Sequence, residues 1–379
     1  MKKPIYLDYN ATTPNDPEVK EAMREFLERE FGNPSSAHFY GVAPKRAIEK
    51  ARSQVAALLN CRSEEIVFTG CATESNNHAI KGIARALRDR GSHIITSSIE
   101  HPAVLNACAF LEGCGCEVTY VPADEQGIVD VSAIENALRP STILISIMHA
   151  NNEVGTIQSI EEIAPIAHGR SIVMHTDAAQ SLGKIPVDVV SLGADLLSVA
   201  GHKLYAPKGI GALYIREGID LAPFMHGAGQ EGGRRAGTEN VLGIVGLGKA
   251  CEIASRDLKK NMDHMKHMRD LLFEGISEQV EGVRLNGDFH KRLPNTLSLS
   301  FEGLEANRIL EEISLDVAVS AGAACHSGTV EVSHVLQAMN VPIEWAQGTL
   351  RLSTGRMTTQ DEIEKAVAVI VKTVNELRH

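Results

Sequence analysis

Chemistry concentrates first at a lysine that follows a histidine at the end of an apolar run, Ser198-Val-Ala-Gly-His-Lys203. An amine so placed can form a Schiff base if it is partly desolvated and near a cationic or electrophilic partner. Taken alone, a solvated surface lysine is the commoner outcome. Ile172-Val-Met-His-Thr-Asp177 ends a second apolar run on an aspartate. That carboxylate could hold a pyridinium nitrogen protonated and make the ring an electron sink. It could equally cap a helix starting at Ala178-Ala-Gln-Ser. In Phe68-Thr-Gly-Cys-Ala-Thr-Glu-Ser75 a strand turns through glycine into a helix. The first N–H groups of that helix, with the Thr73 hydroxyl, could bind a phosphate, or Thr73 and Glu74 could serve only as caps. Glu100-His101-Pro102 supplies an imidazole able to stack on a ring and relay protons, or to satisfy a helix entry. The Ala150-Asn151-Asn152-Glu153 segment supplies an amide able to hold a phenolic oxygen. Each signal is weak; five strand ends of compatible chemistry in succession are not.

These residues need a scaffold that brings strand ends together. From Asp16 to about Arg216, short apolar runs alternate with helical patterns. The runs are Ile66–Thr69, His93–Thr96, Val118–Val121, Ile143–Ile147, Ile172–His175, Leu196–Val199 and Gly211–Ile215. Several are apolar on both faces, as buried strands of a sheet covered by helices would be. Ser75–Arg90 and Pro102–Gly113 have helical length and period. The alternation predicts an α/β domain with a largely parallel sheet, whose ligands bind beyond the carboxyl ends of the strands. From Val241 to Gly282 a long helical stretch follows. Strand-like Thr296–Phe301, Val317–Val319 and Leu350–Leu352 then alternate with helical Ala306–Ser314 and Thr359–Leu377. This predicts a smaller α+β domain. The expected division is a large domain at 14–258 and a small one from 1–13 and 259–379.

Composition narrows the class. Hydrophobic residues make up 44 % of the 379 residues but aromatics only 4 %, so Ala, Val, Ile and Leu must fill the core. The net charge of −11 is mixed along the chain, which argues against a charge-built nucleic-acid face. No apolar run has the length of a membrane span, and MKKPIYLDYN lacks a signal-peptide core. A cytoplasmic protein is expected. Seven cysteines without an export signal predict free thiols. Cys114-Gly-Cys116 has no second pair at zinc spacing, and no metal site is expected. His264 and His267 read as solvated side chains.

The ordered set Tyr9-Asn-Ala-Thr-Thr-Pro14, Gly32-Asn-Pro-Ser-Ser36, Ala72-Thr-Glu-Ser75, Glu100-His101, Asn151-Asn-Glu153, Asp177-Ala-Ala-Gln180, Gly201-His-Lys203, Arg235-Ala-Gly-Thr-Glu-Asn240 and Ala324-Cys325 spans nearly the whole chain. As a set it resembles cysteine desulfurases of the NifS/IscS type. The resemblance implies a homodimeric fold-type I transferase that uses pyridoxal 5′-phosphate. It implies conversion of L-cysteine to L-alanine, with the sulfur left as a persulfide on Cys325. An acceptor protein, a scaffold or carrier, would then take the sulfur for iron–sulfur cluster assembly or for tRNA or DNA thiolation. The resemblance makes Lys203 the Schiff-base lysine, Asp177 the pyridinium partner and His101 the stacking group. Asn152 and Gln180 would lie on the phenolic oxygen side. Ala72, Thr73 and His202 would hold the phosphate, joined by Thr238 from the other subunit. Arg351 would bind the substrate carboxylate, a bidentate task that suits a guanidinium.

Two departures matter. Ala200 stands where the family often has serine, which removes one phosphate hydroxyl. The cysteine segment reads Ser320-Ala-Gly-Ala-Ala-Cys-His-Ser-Gly328 in place of the more usual Ser-Ala-Cys. That run also resembles selenocysteine lyases and the desulfurases of DNA phosphorothioation, so release of selenium from selenocysteine is the alternative activity. Cys325 sits among small residues and is expected on a mobile loop, where a nucleophilic thiol and its acceptor can meet. Cys61, Cys71, Cys108 and Cys251 read as structural thiols within apolar or helical patterns.

Overall fold

The computed structural model describes residues 3–326 and 329–378, without the side chains of 323–331. A first strand, β1 (Ile5–Tyr6), is followed by helices Pro17–Glu28 and Phe39–Leu59. The strands that follow are β2 (Ile66–Thr69), β3 (His93–Ser97), β4 (Glu117–Val121), β5 (Thr142–Ser146), β6 (Val173–Asp177), β7 (Leu196–Ala200) and β8 (Gly211–Ile215). They form one sheet in the order β2-β8-β7-β6-β5-β3-β4. Pairing is parallel from β7 through to β4, while β8 is antiparallel to both of its neighbours. The link from β7 to β8 explains that exception. Ten residues, 201–210, are too few for a crossover helix, so the chain turns straight back.

Alternate residues of one strand enter different cores. Ile94 and Leu196 pack on one face with helices Ala72–Ala86 and Pro102–Glu112, while Ile95 and Leu197 pack on the other. Both faces are covered, which is why these strands carry apolar residues on both sides. Between β3 and β5 the strand order reverses, because the chain goes outward to β4 and returns on the other side of β3. The carboxyl ends of β3 and β5 therefore open a crevice. His101 follows the first of these strands and Asn152 the second.

The remaining strands are β9 (Val283–Asn286), β10 (Thr296–Phe301), β11 (Val317–Ala318), β12 (Ser320–Ala321), β13 (Ala323–His326), β14 (Thr329–Val332) and β15 (Thr349–Ser353). A four-stranded antiparallel sheet runs β12-β15-β10-β9. Its core includes Leu272, Ile276, Leu299, Ile309, Leu352 and Ile370, and also Leu7 from the start of the chain, where β1 pairs with β11. The helix Val241–Ser277 serves both cores, through Ile244 to Ala254 at one end and Met268 to Ile276 at the other. No described helix is long and apolar enough to cross a membrane.

Candidate active site

A cavity of about 300 Å³ opens beyond the carboxyl ends of β3, β5, β6 and β7. It is lined by Ala72, Thr73, His101, Asn152, Asp177, Gln180, Ala200, His202 and Lys203. All nine were singled out in the sequence and meet here in one place. A wider cavity of about 570 Å³ shares His101 and Asn152 with it and adds Arg351. Thr238 lines neither; it lies exposed on the segment before helix Val241–Ser277.

Lys203 ends the short turn after β7, and its amine donates to the Asn10 carbonyl. Burial lowers its pKa to about 8, with Arg351 pushing the same way and Asp177 and Asp8 opposing. Asp177 is the last residue of β6, directly beside Ser198 of β7. Its Oδ2 accepts from Asn76 Nδ2 at 2.6 Å and its Oδ1 from the Ala179 N–H at 2.8 Å. The two readings of Asp177 are therefore not exclusive: one oxygen steadies the turn while the residue lines the cavity.

His101 caps helix Pro102–Glu112 through Nδ1, which accepts the Ala103 N–H at 3.1 Å. The neutral ring then carries its proton on Nε2. Its edge is open to the cavity, yet desolvation lowers its pKa, aided by Lys203 and His334 and opposed by Asp177. His202 is lowered to about 4, by burial first and then by Lys203, Lys208 and Lys184. It is uncharged at neutral pH.

Helix Ala72–Ala86 begins at the cavity wall, and its first-turn N–H groups receive no side-chain cap from Cys71. An uncapped helix start facing a cavity is an anion site. Arg235 holds Glu74 by a 2.8 Å contact. Asn151 is spent on its own turn, accepting from Glu153 and Val154 N–H at 2.8 and 3.0 Å, which leaves Asn152 to line the cavities. Arg351, on β15, donates to Asp8 and Ser320 at 2.8 and 2.9 Å, and its buried Nε has no partner among the described residues. A planar guanidinium with an unsatisfied N–H in a cavity fits a carboxylate ligand.

These residues fit pyridoxal 5′-phosphate. A partly desolvated amine, a carboxylate fixed at a neighbouring strand end and an uncapped helix start stand around one crevice, and beside them Asn76 Oδ1 is buried without a partner among the described residues. Ala200 is 3 % exposed, so the missing hydroxyl leaves only a methyl in the wall.

The cysteine segment departs from the loop expected. Its backbone is a short hairpin in which β13 pairs with β14, Cys325 opposite Val330. Thr329–Val332 is rich in β-branched residues, which favour a ladder. The hairpin springs from the wider cavity's wall: Gly322 and Ser333 line it and are joined by a 2.9 Å hydrogen bond. The Cys325 thiol lies outside the described residues. Cys71 also departs from its expected structural role, being exposed at the cavity wall, whereas Cys108 and Cys251 are buried. His264 is not merely solvated; its Nε2 lies 2.9 Å from the Thr358 carbonyl.

Sequence reasoning missed Asn76, Asp8, Lys184 and Glu100, and gave Asn10 no role. Asn10 is fully buried and bonds to Asn152, Thr296, Asn295, Gln180, Lys184 and Ser353. Its membership of the ordered set Tyr9–Pro14 was the available signal. Asn76 lay in a polar Ser-Asn-Asn run with nothing to mark it as buried.

The sequence profile of the aminotransferase class-V family matches residues 5–366. A protein of Dictyoglomus turgidum named "Cysteine desulfurase IscS" is 50 % identical over 379 residues, covering 100 % of this chain and 96 % of its own. A solved structure titled "NIFS-LIKE PROTEIN" superposes with a TM-score of 0.92 at 39 % identity, covering 99 % of both chains. One titled "SspA in complex with cysteine" superposes with a TM-score of 0.82 at 40 % identity, covering 94 % of this chain and 100 % of the other.

Proposed function

The chain belongs to the aminotransferase class-V family, and we propose that it is a pyridoxal-phosphate cysteine desulfurase that converts L-cysteine to L-alanine and keeps the sulfur as a persulfide on Cys325. The names and the cysteine complex of its relatives support the activity. The observation that carries it is the convergence of Lys203, Asp177 and the uncapped start of helix Ala72–Ala86 on one cavity.

Bound pyridoxal 5′-phosphate supplies a sink for the electrons released at the substrate Cα. Lys203 would hold the cofactor, and its amine, when neutral, would take the substrate Cα proton. Asp177 would keep the ring nitrogen protonated. Ala72, Thr73 and His202 would hold the phosphate, His101 would cover the ring, and Asn152 and Gln180 would serve the phenolic oxygen. Arg351 holds the substrate carboxylate, which aims the substrate side chain toward the hairpin. The Cys325 thiolate attacks the substrate sulfur; an S–S bond forms as the Cβ–S bond breaks, and the carbon is released as alanine after protonation. His101, with its proton on Nε2, is placed to supply one of those protons.

The protein is further proposed to be a homodimer in which Thr238 of the partner subunit completes the phosphate site. The exposure of Thr238 and its absence from the lining of its own chain's cavity support this. The division at 14–258 and 1–13 with 259–379 is supported by the separate apolar cores, although Val335 to Ala346 pack against the larger one. The proposed acceptor is a scaffold or carrier protein of iron–sulfur assembly or of tRNA or DNA thiolation, and the proposed location is the cytoplasm.

The test is alanine formation from L-cysteine with reductant present, beside the visible spectrum. Wild type should form alanine and show the cofactor's visible band. Lys203→Ala should lose both, whereas Cys325→Ala should keep the band and lose activity by roughly a hundredfold or more. A wild type that gains no band with pyridoxal phosphate would sink the cofactor assignment. Unchanged turnover in Cys325→Ala would sink the persulfide. Turnover of selenocysteine but not cysteine would replace this reading by the lyase.

A further inference from the structure

A lysine that the reaction above does not use stands behind the cavity wall. Lys184 is only 4 % exposed. Its Nζ donates to Gln180 Oε1 at 2.8 Å and to Asn10 Oδ1 at 3.1 Å. Both acceptors are neutral amides, and no carboxylate among the described residues is paired with it. Burial holds its pKa well below the ordinary lysine value, with Lys203 and Arg351 adding repulsion. Burying an amine without a counter-charge costs free energy, so this one is informative about its surroundings.

The partners fix the orientation of Gln180. The Asn10 carbonyl can only accept, so the amide nitrogen of Gln180 must face it, and the two are 3.0 Å apart. The amide oxygen then points at Lys184. Asn10 cannot rotate to compensate, because its Nδ2 donates to Asn152 and Thr296 and its Oδ1 accepts from Asn295 as well. Gln180 Nε2 has a second hydrogen, and the residue lines the cavity. Without the lysine, Oε1 would be left buried and unsatisfied, and the amide would lose one of the two contacts that hold it.

We propose that Lys184 is a positioning residue that anchors Gln180 Oε1 behind the wall, so that the site offers an amide donor and no acceptor to the phenolic oxygen of the bound cofactor. The proposal rests on the cofactor reading above. A donor to that oxygen stabilises its anion. The proton shared between the oxygen and the nitrogen joined to Lys203 is then lost at lower pH than it would be without the donor. The other groups facing this proton are Asp177 from β6, His101 from the start of helix Pro102–Glu112, His202 after β7, and Arg351 from β15 with Asp8 upon it. They are the same in every variant below.

The experiment is a pH titration of the cofactor's visible band in the loaded full-length protein. Lys184→Met should raise the midpoint by about one pH unit, the worth of one hydrogen bond. Gln180→Leu should raise it similarly, and the double variant should shift no further than Gln180→Leu alone. Lys184→Gln, which keeps a neutral donor, should stay near wild type. An unmoved midpoint in Lys184→Met overturns the proposal. So does a Lys184→Met shift that persists on the Gln180→Leu background, because the lysine would then act by its charge. If Lys184→Met does not fold, Lys184→Gln decides alone, since a shift of about one unit there also overturns it. A wild type that shows no band overturns the cofactor reading itself, which separates the two failures.

Discussion

The amine of Lys203 can attack an aldehyde only when it is neutral. Burial and Arg351 bring its pKa to about 8, so a useful fraction is neutral near physiological pH. The rate at which cofactor-free protein takes up pyridoxal phosphate should rise about tenfold between pH 7 and pH 9 and then level off. Stopped-flow recording of the visible band reads this directly; a rate still climbing steeply to pH 10.5 would mean an unperturbed lysine. Glu100 has the opposite history. It is fully buried, accepts from Ser97 Oγ and the Met148 N–H at 2.7 and 2.8 Å, and desolvation raises its pKa to about 8. Because the folded pKa lies above the unfolded one, its contribution is whole below the unfolded value and is lost as pH rises through 8. Glu100→Gln should therefore fold normally at pH 7 and raise Tm by roughly 1–3 °C at pH 9; an equal or lower Tm at pH 9 would refute the shift. Lys203 and Asp177 were legible because each ends an apolar run, and His101 because it precedes a helix-starting proline. Glu100, Asn76 and Lys184 were not legible, since a lone polar side chain carries no mark of burial until the tertiary contacts exist.

Among the elements, the helix Val241–Ser277 has the most to hold apart and together. At 37 residues it is about 55 Å long and reaches from one core to the other. Its glycines set how close helix Phe39–Leu59 comes. A Cβ on Gly248 would lie 2.6 Å from both Cα and Cβ of Ala51. Gly248→Ala should cost about 1–3 kcal/mol by overpacking, whereas Gly169→Ala, with nothing within 4 Å of its Cβ, should be nearly neutral. Equal urea midpoints for the two variants would contradict this packing account. Most strands of the large sheet stood out in sequence because burial on both faces makes them predominantly apolar, the half-exposed edge strand Glu117–Val121 excepted. Helix Phe39–Leu59 did not, as Pro44 lies inside it and Phe39 and Tyr40 are exposed at its start. The β13–β14 hairpin was hidden because Gly and Ala runs lack a strand signature, and its partner strand was read as part of the same loop.

At the scale of the molecule, the site as proposed needs two copies of the chain. Lys203 belongs to one and Thr238 to the other, so variants damaged in each should repair one another. Lys203→Ala and Thr238→Glu would each be inactive, the second because its carboxylate repels the phosphate. After co-refolding, half of the dimers should be mixed, each with one intact site, giving about a quarter of wild-type activity. No recovery on mixing would assign Thr238 to its own chain's site or to none. The crevice itself was foreseeable from strand order alone, because β3 and β5 part at the reversal. That the small sheet and the first strand close over it was not, since such closure depends on contacts between distant parts of the chain.

Those distances set a timetable for biosynthesis. Asn10 accepts the Lys203 amine and is itself held by Ser353, 343 residues further on. At ordinary elongation speeds of about 5–20 residues per second, roughly 20–70 s separate the making of the two. Through that interval the large sheet can assemble on the ribosome, but the amine has no settled carbonyl to rest on. The binding pocket is thus one of the last features to mature, finished by the most recently translated strand. A nascent chain stalled before β15 would hold the whole parallel sheet and still be unready for its cofactor.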